Sequence, residues 1–444
     1  MDISLTYLER DGSGPAALRI TSAASDLRTP THFIALIDVS ESMEDKSKLI
    51  HVKHCMSLLL KFLTADDCLS IISFGEESTI LLNRVKTDAA QLPVIEKAIE
   101  SLVVNGCTNY SAGLGSVRQI LDESPTSTLK PGLLTFTDGH ANRGVFDPPS
   151  LTAMVSRIHE LYPTLSFSFV AYGTEHNAGL LKGMADSVMG SYSIVESLEG
   201  SATAMGDCIG GILSCSAQNV VIEFPAGTVA HGSYNVTETG RLVLGDLYAG
   251  TDTTILITAV EGPVVITGVS LPNLDPFRQT ASTSLDTAPN VEITVTRLRY
   301  RCAALFSKIR DSMRRSERLT EEIEAFRLAC SDPALAEHPV IAMLKNEIIS
   351  MEVALQNITA GATRGLDVQL TQHAAFTSMM RGTTTSIQSQ GGGQRARVRF
   401  NSVDSDPDPD VSDPVIMTSP MRSTRQQQVT SMMREASLGG GASN

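Results

Sequence analysis

A single stretch, Thr31–Met43 (THFIALIDVSESM), leaves this chain few ways to fold. Phe33, Ile34, Ala35, Leu36 and Ile37 follow one another with no polar residue between them, and the run stops at Asp38. A short, unbroken apolar run of this kind fits a strand covered on both faces, as in a parallel sheet. Ser40 and Ser42 follow Asp38 at two-residue spacing. One carboxylate and two hydroxyls thus stand just beyond the C-terminal end of a strand, the edge at which open α/β sheets bind ligands. Such oxygen donors favour a hard cation, Mg²⁺ before Zn²⁺.

The flanking sequence supports an α/β unit over residues 31–200. Strands are expected at Phe33–Asp38, Cys68–Phe74, Thr79–Asn83, Gly132–Thr137, Leu165–Tyr172 and Ser191–Val195. Helices are expected at Ser47–Leu63, Asp88–Leu102, Ser111–Leu121, Leu151–Leu161 and Asn177–Ala185. This alternation predicts right-handed βαβ units and a doubly wound, mainly parallel sheet with helices on both faces. Thr79–Asn83 follows its predecessor too closely for a helical crossover and is expected as an antiparallel edge strand.

Composition changes after a linking helix expected at Ser201–Ala217. Residues 219–296 are rich in Val, Thr and Gly, and NVVIEF, VAHGSYNV, RLVLGDL, TTILITA, GPVVITGVSL and VEITVT read as short strands of an antiparallel β-sandwich. Ile3–Leu8 and Ala16–Thr21, around Asp11-Gly-Ser-Gly, read as a β-hairpin that completes this sandwich, with the α/β unit inserted between. Residues 297–360 predict a helical hairpin, from the apolar steps Leu298, Cys302, Leu305, Ile309 and Ile341, Leu344, Ile348, Met351, Leu355. Beyond residue 361, a Gly run and the interleaved Asp404, Asp406, Asp408, Asp410 and Asp413 predict a mostly disordered tail. The expected divisions are a hairpin at 1–30, the α/β domain at 31–200, the linking helix and sandwich at 201–296, the helical hairpin at 297–360 and the tail at 361–444.

Several function classes are disfavoured. The formal charge of −14 argues against a general nucleic-acid binder, which needs a basic face. The opening MDISLTYLER has neither the basic start nor the apolar centre of a signal peptide, and no apolar run reaches the length of a membrane span. A soluble, cytoplasmic protein is therefore expected. No two of the cysteines have CxxC spacing, which removes zinc-ribbon and dithiol redox readings. GxSxG, P-loop and HExxH motifs are absent, so the chain is not expected to be an enzyme.

Two further stretches bear on the Asp38 edge. The strand at Gly132–Phe136 ends in Thr137-Asp138-Gly139. Between the two strands, Gly106-Cys107-Thr108-Asn109 opens the helix near Ser111 and puts the Thr108 hydroxyl at a helix N-terminus. This constellation resembles the von Willebrand factor A domain and its metal-ion-dependent adhesion site, over residues 31–200. Asp38, Ser40 and Ser42 match the first loop of that site, Thr108 the second and Asp138 the third. The resemblance implies a metal site formed by these residues. In the family, Ser and Thr oxygens hold Mg²⁺ directly (Mn²⁺ or Ca²⁺ as substitutes) and the aspartates act partly through water. An open position then accepts a Glu or Asp carboxylate from a partner protein. The layout is also similar to intracellular proteins that combine an A domain with such a sandwich. The plant ubiquitin ligases among them carry a RING finger, whereas no Cys/His cluster with zinc spacing occurs here.

The expected function is an intracellular, metal-dependent protein–protein interaction scaffold. One alternative is a structural or ubiquitin-pathway adaptor with a vestigial site. Another is a Mg²⁺-dependent hydrolase, which needs a nearby general base or a second ion. Glu41, Glu44, His140 and Asn142 flank the site and read as exposed loop residues.

Overall fold

A computed structural model describes residues 3–8, 16–23, 28–123, 129–173, 176–195, 198–231, 236–258, 262–284, 291–314, 316–362, 366, 369–370, 373 and 431–432. The expected hairpin tip, residues 232–235 of the expected VAHGSYNV strand and nearly all of the expected tail lie outside the described residues.

Two strands, β1 (Ile3–Leu8) and β2 (Ala16–Ser22), precede the α/β unit. That unit runs β3 (Thr31–Asp38), α1 (Lys48–Leu60), β4 (Cys68–Phe74), β5 (Ser78–Lys86), α2 (Leu92–Glu100), α3 (Tyr110–Asp122), β6 (Lys130–Thr137), α4 (Pro148–Leu161), β7 (Ser166–Tyr172), α5 (Ala178–Ser187), β8 (Ser191–Val195) and α6 (Leu198–Ser214). Then come β9 (Cys215–Glu223), β10 (Arg241–Tyr248), β11 (Thr251–Ile257), β12 (Val265–Ser270), β13 (Asp275–Thr280) and β14 (Ser282–Ser284). Helices α7 (Val291–Ser312), α8 (Glu317–Ala329) and α9 (Pro339–Thr359) follow.

The central sheet has the order β5-β4-β3-β6-β7-β8. Its pairings are parallel except for β5, the antiparallel edge. Every residue of β3 is buried, because both of its faces are covered. Phe33, Ala35 and Ile37 pack with Val52 and Cys55 of α1 and with Met205 and Ile209 of α6. Ile34 and Leu36 pack with Leu114 of α3, Val155 of α4 and Leu181 of α5. The close approach of α3 depends on Gly113, where a Cβ would stand 2.9 Å from Leu36 Cδ1 and 3.1 Å from Phe74 Cγ. From β3 the chain winds to β4 on one side and later returns to β6 on the other. The winding direction therefore reverses between β3 and β6, which opens a crevice at their C-terminal ends.

The remaining strands form two four-stranded sheets, β11-β2-β1-β14 and β10-β9-β12-β13. Leu18 and Ile20 of β2 and Ile255 of β11 meet Val220 and Ile222 of β9, Leu242 of β10 and Ile266 of β12 in one core, as in a sandwich. Strands β1 and β2 sit between β11 and β14, so the chain leaves this sheet, builds the α/β unit and comes back. One pairing, β1 with β14, is parallel.

Three expectations need correction. The linking helix starts at Leu198 and stops at Ser214, and Cys215–Ala217 already belong to β9. VEITVT is not a strand but the first part of α7. Its β-branched residues favour strand, yet Ile293 and Val295 continue the buried stripe of Leu298, Cys302, Leu305 and Ile309, and packing of that stripe overrides local preference. The C-terminal helical region contains α8 as well as the two expected helices. The Ser316 side chain accepts from Leu319 N to start α8, and Leu319, Ile323 and Phe326 bury one face of it. No helix among the described residues is long and apolar enough to cross a membrane.

Candidate metal centre

The register of β3 with β6 sets Ile37 opposite Phe136, so Asp38 and the Thr137-Asp138 pair leave the sheet side by side. Asp38 is wholly buried. Its Oδ1 accepts from Ser40 N at 2.9 Å, and its Oδ2 accepts from the Thr137 hydroxyl at 2.5 Å. The Ser40 and Ser42 hydroxyls lie 3.1 Å apart, Ser40 buried and Ser42 half-buried. Ser40 precedes a 3₁₀ turn at Glu41–Met43 but makes no side-chain cap bond to it. Asn109, rather than Thr108, caps α3 by accepting from Ala112 N at 3.1 Å. Helix capping therefore accounts for neither the Ser40 nor the Thr108 hydroxyl.

Backbone hydrogen bonds stitch the three loops together. Glu41 N donates to Gly106 O at 3.0 Å, joining the first loop to the second. Gly106 has φ +67, a left-handed conformation that costs glycine little. Thr108 N donates to the Asn142 side-chain oxygen at 2.9 Å, and Asn142 N donates to Thr108 O at 3.1 Å, joining the second loop to the third. Buried Thr108 is thus held by backbone bonds beside the Asp138 loop.

The two carboxylates differ in their electrostatics. Burial pushes the Asp38 carboxyl up to about 6, against the hydrogen bonds from Thr137 and Ser40, and nearby Asp138 adds to the rise. Burial also works on Asp138, but hydrogen bonds from Ser42 and Lys48 and the Lys48 charge outweigh it and hold this carboxyl below its ordinary value. Lys48 Nζ lies 2.9 Å from Asp138 Oδ2, with side-chain exposures of 14% and 1%. Among the described residues no group of three or more His, Cys, Asp or Glu converges. Two carboxylates and several hydroxyls on rigid loops fit a hard cation that prefers oxygen, and they do not fit Zn²⁺.

Asp38, Ser40, Ser42 and Asp138 form one hydrogen-bonded cluster, and Thr108 adjoins it through the Asn142 loop. Glu41, Glu44 and His140 are exposed. Asn142 is exposed as well, yet its side chain holds the second loop in place. Sequence reasoning missed Thr137 and Lys48. Thr137 carries no motif signal. Lys48 has one, since it opens α1 at the helix end where a cation is disfavoured.

The sheet and the loop cluster define an α/β domain of the von Willebrand factor A type. The family model for the von Willebrand factor type A domain matches residues 33–140, and the chain carries such a domain. It is 31% identical over 171 residues to the uncharacterized protein YfbK of Escherichia coli strain K12, a match of 38% of this chain and 29% of that protein. The similarity thus spans less than a third of that relative's length. A solved von Willebrand factor type A structure from Catenulispora acidiphila superposes with a TM-score of 0.55 at 14% identity, over 84% of this chain and 89% of that one. At that identity the likeness is one of fold.

Proposed function

We propose that the chain is a metal-dependent protein-interaction scaffold, with Asp38, Ser40, Ser42, Thr108 and Asp138 as an intact adhesion-type Mg²⁺ site. The observation that carries this reading is the Asp38–Ser40–Ser42–Asp138 cluster, buried but for half-buried Ser42 and stitched to Thr108, in which helix capping leaves the Ser40 and Thr108 hydroxyls unexplained. A bound Mg²⁺ supplies an electrophilic position that accepts a Glu or Asp oxygen from a partner. Ser40, Ser42 and Thr108 would offer neutral oxygens, and Asp38 and Asp138 the compensating charge. The hydrogen bonds that join the three loops hold these groups in place.

Binding suits the site better than turnover, and we assign no catalytic residue. The two carboxylates inside the cluster are both committed to other contacts, so neither is poised to take a proton as a general base. Asp38 is engaged by Thr137 and Ser40, and Asp138 by Lys48. The reading places the protein in the cytoplasm, paired with a protein that offers an acidic side chain. Affinity capture of the full chain with Mg²⁺ or with EDTA tests it. Partners retained in Mg²⁺ and lost both in EDTA and with Asp38→Ala support the proposal. Capture that ignores both changes refutes it and leaves an adaptor with a vestigial site.

A further inference from the structure

Lys48 is the cation that the site already contains. It is the first residue of α1, and its side chain reaches Asp138 ninety positions away in the sequence, with Nζ 2.9 Å from Oδ2. Two features show that the reach is built in. Gly173 leaves room for the lysine stem, because a Cβ there would stand 3.3 Å from Lys48 Cε. The ammonium is also mostly shielded, with 14% of the side chain exposed against 1% for Asp138, so salt screens the pair little. A lysine at a helix N-terminus opposes the helix dipole, and fixing its long chain costs entropy. The contact with Asp138 offsets both.

We infer that Lys48 is a tethered counter-cation of the metal site: it balances Asp138 in the metal-free chain and lowers the affinity for divalent ions. This rests on the metal reading of the same loops. Two buried carboxylates meet at the β3–β6 edge, and without a nearby positive charge the metal-free loops would hold uncompensated negative charge. With the ammonium present the loops keep their shape before an ion arrives. When a dication enters, the same ammonium repels it. Lys48 therefore acts as a positioning residue, holding one oxygen of Asp138 by a hydrogen bond. It tunes the site towards ready exchange of the ion.

Calorimetric titration of MgCl₂ into the full chain, with thermal melts in EDTA and in Mg²⁺, tests the inference on wild type, Lys48→Met and Lys48→Arg. Lys48→Met should bind Mg²⁺ about tenfold more tightly, because one repulsive unit charge is gone. It should also melt earlier than wild type in EDTA and gain more from Mg²⁺. Lys48→Arg keeps the charge and should stay within about twofold of wild type. If wild type binds Mg²⁺ and Lys48→Met binds it equally or less tightly, the counter-cation role is refuted and the metal site stands. If neither binds Mg²⁺, both claims fall. A Lys48→Met chain that folds only with Mg²⁺ supports the inference, and one that folds in neither condition overturns it.

Discussion

At the scale of single residues, burial sets the chemistry of the α/β domain. His32, on β3, shows this away from the Asp38 and Asp138 loops. Its Nε2 lies 2.8 Å from the Ser70 hydroxyl and its Nδ1 lies 3.2 Å from Arg84 Nη1. Burial, helped by the Arg84 charge, holds the imidazole down at about 3, from 6.5. The folded chain therefore keeps His32 neutral while the unfolded chain gains a proton as pH falls through 6.5. The stability that His32 contributes is complete above that pH and is lost progressively towards pH 3, at up to about 1.4 kcal/mol per pH unit. Thermal melts between pH 7 and pH 4 should show a falling Tm for wild type and a shallower fall for His32→Gln. Parallel slopes would show that other groups govern acid sensitivity.

At the scale of elements, the α/β unit rests on close contacts between helices and sheet. Gly113 makes one such contact, facing Leu36 and Phe74. Gly113→Val should lower the urea midpoint and cost about 1–3 kcal/mol through overpacking, despite the poor helix propensity of glycine. An unchanged midpoint would mean that α3 can lift from the sheet without penalty. Much at this scale was legible in the sequence. The bounds of Cys68–Phe74 and Ser191–Val195 follow directly from apolar runs between turn signals. VEITVT reads as strand because five of its six residues are β-branched, and only the later residues of the same stripe show the helical period. α8 is marked in the sequence only by the Ser316 cap and the short Leu319, Ile323 and Phe326 stripe, which the longer stripes on either side outweigh. The loop oxygens were visible from the run that ends at Asp38. The Thr137 and Lys48 contacts were not, because they join positions 99 and 90 residues apart in the sequence.

At the scale of the whole molecule, one β-rich body encloses the α/β domain in the sequence. Strands β1 and β2 precede the domain and pair with strands that follow it. The two parts also touch through side chains. Ser166 on β7 donates to Asp246 on β10 at 2.8 Å, and Gln218 on β9 donates to Thr164 O at 3.0 Å. These bonds lie towards the start of β7, whereas Asp38 and Thr137 close the C-terminal ends of their strands. The sandwich therefore meets the sheet at the end opposite the Asp38 and Asp138 loops. The proposed function requires a divalent ion at those loops. Calorimetric titration of Mg²⁺ into the full chain and into Asp38→Ala tests this most directly. One Mg²⁺ should bind per wild-type chain and none to Asp38→Ala, with unchanged circular dichroism in EDTA. No binding by wild type, or equal binding by the variant, would contradict it.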